Sequence, residues 1–282
     1  MIKHNALQKL DIDKRDFNLG AVYPQIKIEE VPNTDFVVAM PIKVKDQKET
    51  DYCSAYALVA VSEDQEKVEL LPEYQFYKTK EISNKPEEWG ADLRDACKSA
   101  TSFGSLPMQG FESKKILTRS EVVDKLFWLN SLDKIASLHK KGSYFKVGGK
   151  YDVFDNIRTA LWQNRNEKCS VLTGCLWRMS WLDSQNGIIP HIYANDGFGH
   201  AFKIFGQKII NNEIYLMAQL SQGDKVGDGG IFYFNRIITN KEIGKYGMFM
   251  FKDALPKEVR SYTDASKPLC KNFWLYIISL FK

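Results

Sequence analysis

The feature that most constrains this chain is a change of hydrophobic period near residue 165. Upstream, apolar side chains recur every three to four residues, as on a helix with one buried face. Downstream, they alternate or come in short runs bounded by Gly, Asn and Asp, as in strands joined by tight turns. A helix is predicted from Cys53 to about Glu66, with Ala55, Tyr56, Leu58, Val59 and Val61 apolar, and the polar run Lys48-Glu-Thr-Asp51 is expected to cap its start. Residues 71–77 read as a short helix with Pro72 at a permitted first-turn position. Residues 91–101 carry Leu93, Ala96, Cys97 and Ala100 at helical spacing, ended by Gly104. Further helical patterns cover 119–129, 131–140 and 152–163. Strands are expected over 169–177, 231–236 and 247–252, with a hairpin of 200–210 and 213–220 turning at Asn211-Asn212. Helices first and strands last predict an α+β fold with a helical lobe and a β lobe. Pro24, Pro32 and Pro41 keep residues 1–45 from forming a long helix.

At 282 residues and 44% hydrophobic, the chain can bury one large core or two lobes that share one. A net charge of +4, with no arginine-rich helix or aromatic-interleaved basic stripe, argues against nucleic acid as a partner. Met1–Leu10 lacks the apolar core and cleavage site of a signal peptide. The longest apolar run, Phe273-Trp-Leu-Tyr-Ile-Ile-Ser-Leu-Phe281, is shorter than the roughly 18 residues a transmembrane helix needs. That run is suited to rest on a membrane surface, to bind a protein partner, or to pack back on the domain. The cysteines number five, an odd count, and none forms a Cys-x-x-Cys pair. A disulfide framework and a zinc site are therefore not expected, and a cytoplasmic or otherwise reducing compartment is. No phosphate-binding glycine loop, zinc-protease helix or nucleophile-elbow serine is present, so no cofactor or metal is expected.

The residues that suggest chemistry are Cys53, His200 and Gln47. A thiolate is the attacking form of cysteine, and the first turn of a helix favours it, because unpaired N–H groups and aligned peptide dipoles point there. An imidazole that takes the proton completes an activated nucleophile. Acyl transfer further requires donors for the oxyanion, often a side-chain amide with a backbone N–H. Cys53 stands at a predicted helix start, Gly199-His200 at a predicted strand start, and Gln47 six residues before the thiol. His191 is a competing base; a loop histidine is the plainer reading. Cys97, Cys169 and Cys175 read as core residues, Cys270 as incidental, and His4 and His139 as histidines in polar surroundings with no chemical role.

In these stretches the sequence resembles the papain family of cysteine peptidases. Val44-Lys-Asp-Gln47, a five-residue loop and Cys53-Ser-Ala-Tyr-Ala57 are similar to the family's glutamine, loop and cysteine-helix signature. Gly199-His200-Ala201 with its apolar strand resembles the histidine motif, and residues 221–234 resemble the glycine-rich turn and strand after the family's asparagine. Trp89-Gly90 is similar to the segment lining one side of the substrate cleft. The resemblance spans most of residues 35–252. It implies a papain-like α+β fold, with an N-terminal helical lobe over about 46–150, a C-terminal antiparallel β-sheet or barrel lobe over about 151–255, and the active-site cleft between. Residues 1–34 and 256–282 are then extensions. It also implies a peptide or protein substrate, attack by Cys53, His200 as base, and an oxyanion hole from the Gln47 amide and the Cys53 N–H. Amidase or transglutaminase chemistry is a further option on such a fold.

The departures are specific. Asp51, Tyr52 and Ser54 replace the family's usual neighbours of the cysteine, and a carboxylate at Asp51 facing the thiol would oppose its ionisation. Leu220 falls where the family carries the Asn that orients the imidazole, and leucine accepts no hydrogen bond. Gln219, one step along the strand, points to the other face unless a bulge shifts the register. Gln222 falls where a Trp usually shields the pair. The alternative reading is therefore a catalytically impaired papain-fold scaffold or binding protein. Only 52 residues precede Cys53, so a long inhibitory pro-segment is not expected, leaving the N-terminal stretch or a partner as a guard.

Overall fold

The structure, a computed structural model, describes residues 7–8, 10, 16–109, 117–124, 128, 130–191 and 197–252. The extension 256–282 with Cys270 and the apolar run 273–281, as well as His4, lie outside the described residues.

In chain order the elements begin with a single turn, α1 (Leu19–Val22), and a two-residue strand, β1 (Phe36–Val37). The helical half follows: α2 (Cys53–Glu66), α3 (Pro72–Ser83), α4 (Leu93–Ser102), α5 (Arg119–Val123) and α6 (Asn130–Ala136). Then come β2 (Ser143–Lys146), α7 (Val153–Gln163), β3 (Val171–Arg178), β4 (Gly197–Ile210), β5 (Glu213–Gln219), β6 (Ile231–Phe234), α8 (Arg236–Glu242) and β7 (Met248–Lys252). The sheet runs β2-β7-β3-β4-β5-β6 with β1 beside β4, and every pair is antiparallel. It is an open sheet: among the described residues the edge strands β2 and β6 do not pair, so the barrel alternative is not realised.

α2 is buried on all sides from Cys53 to Asp64. Its sequence is apolar or small around most of the circumference, which suits a helix in the middle of a fold rather than on its surface. One side packs against β4; the other faces α3, with Tyr52, Tyr56, Tyr74 and Phe76 in the helical-lobe core. A second core lies in the β lobe, around Trp177, Phe202, Phe232 and Phe234, with Phe154, Ile157 and Leu161 of α7. A third cluster joins the lobes and contains Cys53, Leu58, Ala96, Cys97, Ala201 and Phe249. β3 is buried along nearly its whole length, because helices cover both faces of the sheet there, and so it reads in sequence as an apolar run rather than an alternation.

Local chemistry sets several boundaries. Asp92 and Asp152 cap α4 and α7 by accepting the N–H of Asp95 and Asp155. The expected cap of α2 is not made: Tyr52 is its N-cap residue with no side-chain capping bond, and the Asp51 carboxylate instead accepts the Gly90 N–H at 2.6 Å. Of the pattern over 119–129, Arg119–Val123 is helical and Asp124 is extended, while 125–127 and 129 lie outside the described residues; α3 extends beyond residue 77 to Ser83, and β1, β2 and α8 are added. β2 has too few residues to show a period; its pairing with β7, Tyr144 opposite Phe251, makes it a strand.

Candidate active site

Cys53 is the first residue of α2 and is fully buried. The main-chain N–H of Ala201, the residue after His200, bonds to its sulfur. Burial pushes the thiol up to about 12; the Ala201 N–H works against that rise, and the Asp51 charge adds to it. The helix start therefore carries a neutral thiol in this closed arrangement.

His200 is the fourth residue of β4 and pairs in register with Cys175 of β3. Its ring sits between aromatic edges, with Trp177 at 6.0 Å and Phe198 at 5.9 Å between centroids. Burial lowers the imidazole from its usual 6.5 to about 4, partly opposed by a hydrogen bond with Gln222. The side-chain nitrogen of Gln222 lies 3.1 Å from His200 Nε2.

Gln47 is held at both ends of its amide. Its Oε1 accepts from Ser221 Oγ at 2.5 Å, and its Nε2 donates to the Thr50 carbonyl at 2.9 Å, which leaves the second N–H of the amide available. The main chain fixes the same contact: Gln47 N–H donates to Ser221 O at 2.8 Å and Gly223 N–H to Lys45 O at 3.1 Å, around an antiparallel bridge between Asp46 and Gln222. Residues 45–47 and 221–223 thus form a short ladder that joins the segments carrying Gln47 and Gln222, about 175 residues apart in sequence.

The residues that raised doubt in the sequence have defined places. Leu220 is buried in the β-lobe core, and its N–H donates to Gly230 O. Gln219 donates to the Lys43 carbonyl at 3.2 Å. Asp51, 1% exposed, is turned to the Gly90 N–H and to Arg119, 3.0 Å away. Arg119 also donates to the carbonyls of Pro86 and Glu88, while Lys80 donates to those of Glu88 and Gly90. Asp51 is thus part of a brace that fixes the Trp89-Gly90-Ala91 segment against the start of α2. His191 meets Asn235 Nδ2 at 2.9 Å. His139 is buried and lies 3.0 Å from the Glu66 carboxylate. Cys97, Cys169 and Cys175 are buried and free, as core residues are. No group of three or more metal-ligating side chains occurs among the described residues.

The N-terminal segment lies against this site. Leu7 N–H donates to Gly199 O at 3.2 Å, and Gln8 N–H to Ala91 O at 3.3 Å. Leu7 is buried in the cluster that contains Cys53 and Ala201. Room for it depends on two glycines: a Cβ on Gly174 would come 2.2 Å from the Leu7 side chain, and one on Gly199 would come 2.4 Å from its carbonyl oxygen. Trp177 and the Ala201 N–H were not read from sequence as parts of the site, and Gln222 was read only as standing where the papain-family resemblance puts a shielding Trp.

No protein-family model and no curated protein matches the chain. Solved structures do. Xylellain, a cysteine protease from Xylella fastidiosa, is 19% identical with a TM-score of 0.73, covering 90% of this chain and 97% of that one. Digestive procathepsin L2 proteinase from Tenebrio molitor larval midgut is 16% identical at TM-score 0.64, covering 88% and 77%. ProCathepsin B S9 from Trypanosoma congolense is 12% identical at 0.61, covering 87% and 85%. Over most of its length, this chain has the papain-like cysteine protease fold.

Proposed function

We propose that the protein is a papain-like cysteine peptidase that hydrolyses peptide bonds through a Cys53–His200 dyad. The observation that carries the reading is the Ala201 N–H bonded to the Cys53 sulfur, because it ties the strand residue next to His200 to the nucleophile at the helix start. As substrate displaces Leu7, His200 takes the thiol proton while Cys53 Sγ bonds to the scissile carbonyl carbon. The second N–H of Gln47 and the Cys53 main-chain N–H receive the oxyanion. Collapse breaks the C–N bond, the amine leaves with the proton from His200, and water then hydrolyses the thioester to return the free thiol and a carboxylic acid. In the closed state burial favours the neutral form of both groups. The bonds from Leu7 and Gln8 support a guarding role for the N-terminal segment.

A non-catalytic binding protein on the same fold is the second reading, favoured by Leu220 at the orienting position and by the depth at which Cys53 is buried. The test is hydrolysis of a mixed peptide library by the wild type and by Cys53→Ala. Cleavage that disappears in the variant is expected. No difference between the two refutes the peptidase reading, and products that require an added amine reassign the chemistry to acyl transfer.

A further inference from the structure

This inference rests on the peptidase reading and concerns the His200 nitrogen that does not exchange a proton with the thiol. Nε2 is met by the Gln222 amide nitrogen at 3.1 Å, while the amide oxygen is buried with no partner in the protein. A half-turn of the amide exchanges its oxygen and nitrogen with almost no change of shape. Either orientation leaves one amide atom without a protein partner, so satisfaction of the amide does not choose between them. The reaction chooses. With Nε2 occupied by Gln222, Nδ1 is the nitrogen left to take the Cys53 proton, and it must then begin unprotonated. Its tautomer places the ring proton on Nε2, where only an acceptor fits.

We propose that Gln222 is the positioning residue of this site: its Oε1 accepts the His200 Nε2–H and so fixes both the tautomer and the ring orientation. Leu220 is buried in the core and offers no acceptor, and Gln219, whose Oε1 is also without a partner, stands opposite Lys203 in the ladder rather than at His200 Nε2, where Gln222 lies. The Trp177 and Phe198 edges restrict how the ring can turn. Gln222 is held by its own main chain, through the Asp46 bridge and the flanking bonds of Ser221 and Gly223. The same ladder carries Gln47, so the orienting amide and the oxyanion donor move as one piece. Gln222 thus supplies, two residues further on, the acceptor that Leu220 cannot.

The test compares full-length wild type, Gln222→Leu and Gln222→Asn by steady-state kinetics on a fluorogenic peptide pool and by 15N–1H correlation of the His200 ring, with His200→Asn as the assignment control. Wild type is expected to show an Nε2–H tautomer. Gln222→Leu should lose on the order of 10- to 100-fold in kcat with KM near the wild-type value, as removal of a histidine's outer partner does elsewhere. Gln222→Asn, which keeps the amide, should recover part of the rate. A folded Gln222→Leu protein with wild-type kcat or an unchanged ring spectrum overturns the proposal while leaving the peptidase reading intact. If wild type cleaves nothing, that reading fails, and the ring spectrum alone still decides Gln222: loss of the Nε2–H signal in Gln222→Leu supports it and retention refutes it.

Discussion

Lys203→Met is the sharpest probe of how the nucleophile's helix is held to the base's strand. Lys203 lies on β4 three residues after His200, and Asp64 lies on α2 eleven residues after Cys53; their exposures are 1% and 0%. Lys203 Nζ donates to Asp64 Oδ1 at 2.8 Å and to the Ala60 carbonyl at 3.3 Å, while Ser170 Oγ donates to Asp64 Oδ2. Burial raises the Asp64 carboxyl and lowers the Lys203 ammonium, and each partner's charge works against the other's shift. Methionine fills most of the lysine's volume but leaves a buried carboxylate with one hydroxyl donor. Breaking a buried pair in this way costs about 3–5 kcal/mol, a large part of the roughly 5–15 kcal/mol that holds a domain together. A melting temperature lower by roughly 10 °C follows for a chain of this size. The sign of the pH dependence is also set. In the variant the folded-state Asp64 pKa stands above its unfolded value, so the deficit is smallest below about pH 4 and grows as pH rises through the folded pKa. Urea denaturation at several pH values measures both. Lys203→Met combined with Asp64→Asn should recover a substantial part of the loss, since no charge is then stranded. A single-variant deficit under about 1 kcal/mol, or one that grows on acidification, would refute the buried-pair account.

Two further outcomes follow from the site. Leu7 is held by burial and one main-chain bond, with Gln8 bonded beside it, together about 2–5 kcal/mol in gross terms. Leu7→Asp should therefore raise iodoacetamide labelling of Cys53 at neutral pH by at least about tenfold, and an unchanged rate refutes the guarding role. His200 has a folded pKa of about 4 against an ordinary 6.5, so its contribution to stability is complete above pH 6.5 and is lost as pH falls toward 4. Relative to His200→Asn, wild type should lose up to about 3 kcal/mol between pH 7 and pH 4; parallel pH–stability curves for the two proteins contradict the burial of a neutral imidazole.

The sequence alone determined the order of helices and strands, the start of α2 at Cys53 and the hairpin turning at Asn211-Asn212, because these depend on neighbours within a few positions. Apolar residues at three and four apart make a helix face, and turn-forming residues between apolar runs make a hairpin, whatever the rest of the chain does. Cys53 stood out because it opens α2, whose type is local, whereas His200, inside β4, and Gln47, six residues before α2, were singled out chiefly by resemblance to the papain motifs. Tertiary structure decided what surrounds them. Asp51 suggested a cap or a charge opposing the thiol; its charge does oppose ionisation of the thiol, but in place of a cap its partners are Gly90 and Arg119, 39 and 68 residues away. β1 and β2 exist because β4 and β7 offer them pairing partners. Above all, Leu220 left the imidazole without an acceptor, and only the ladder between residues 45–47 and 221–223 turned Gln222 toward it. The direction of a side chain in a turn is set by what that turn pairs with, and here the partner lies about 175 residues away.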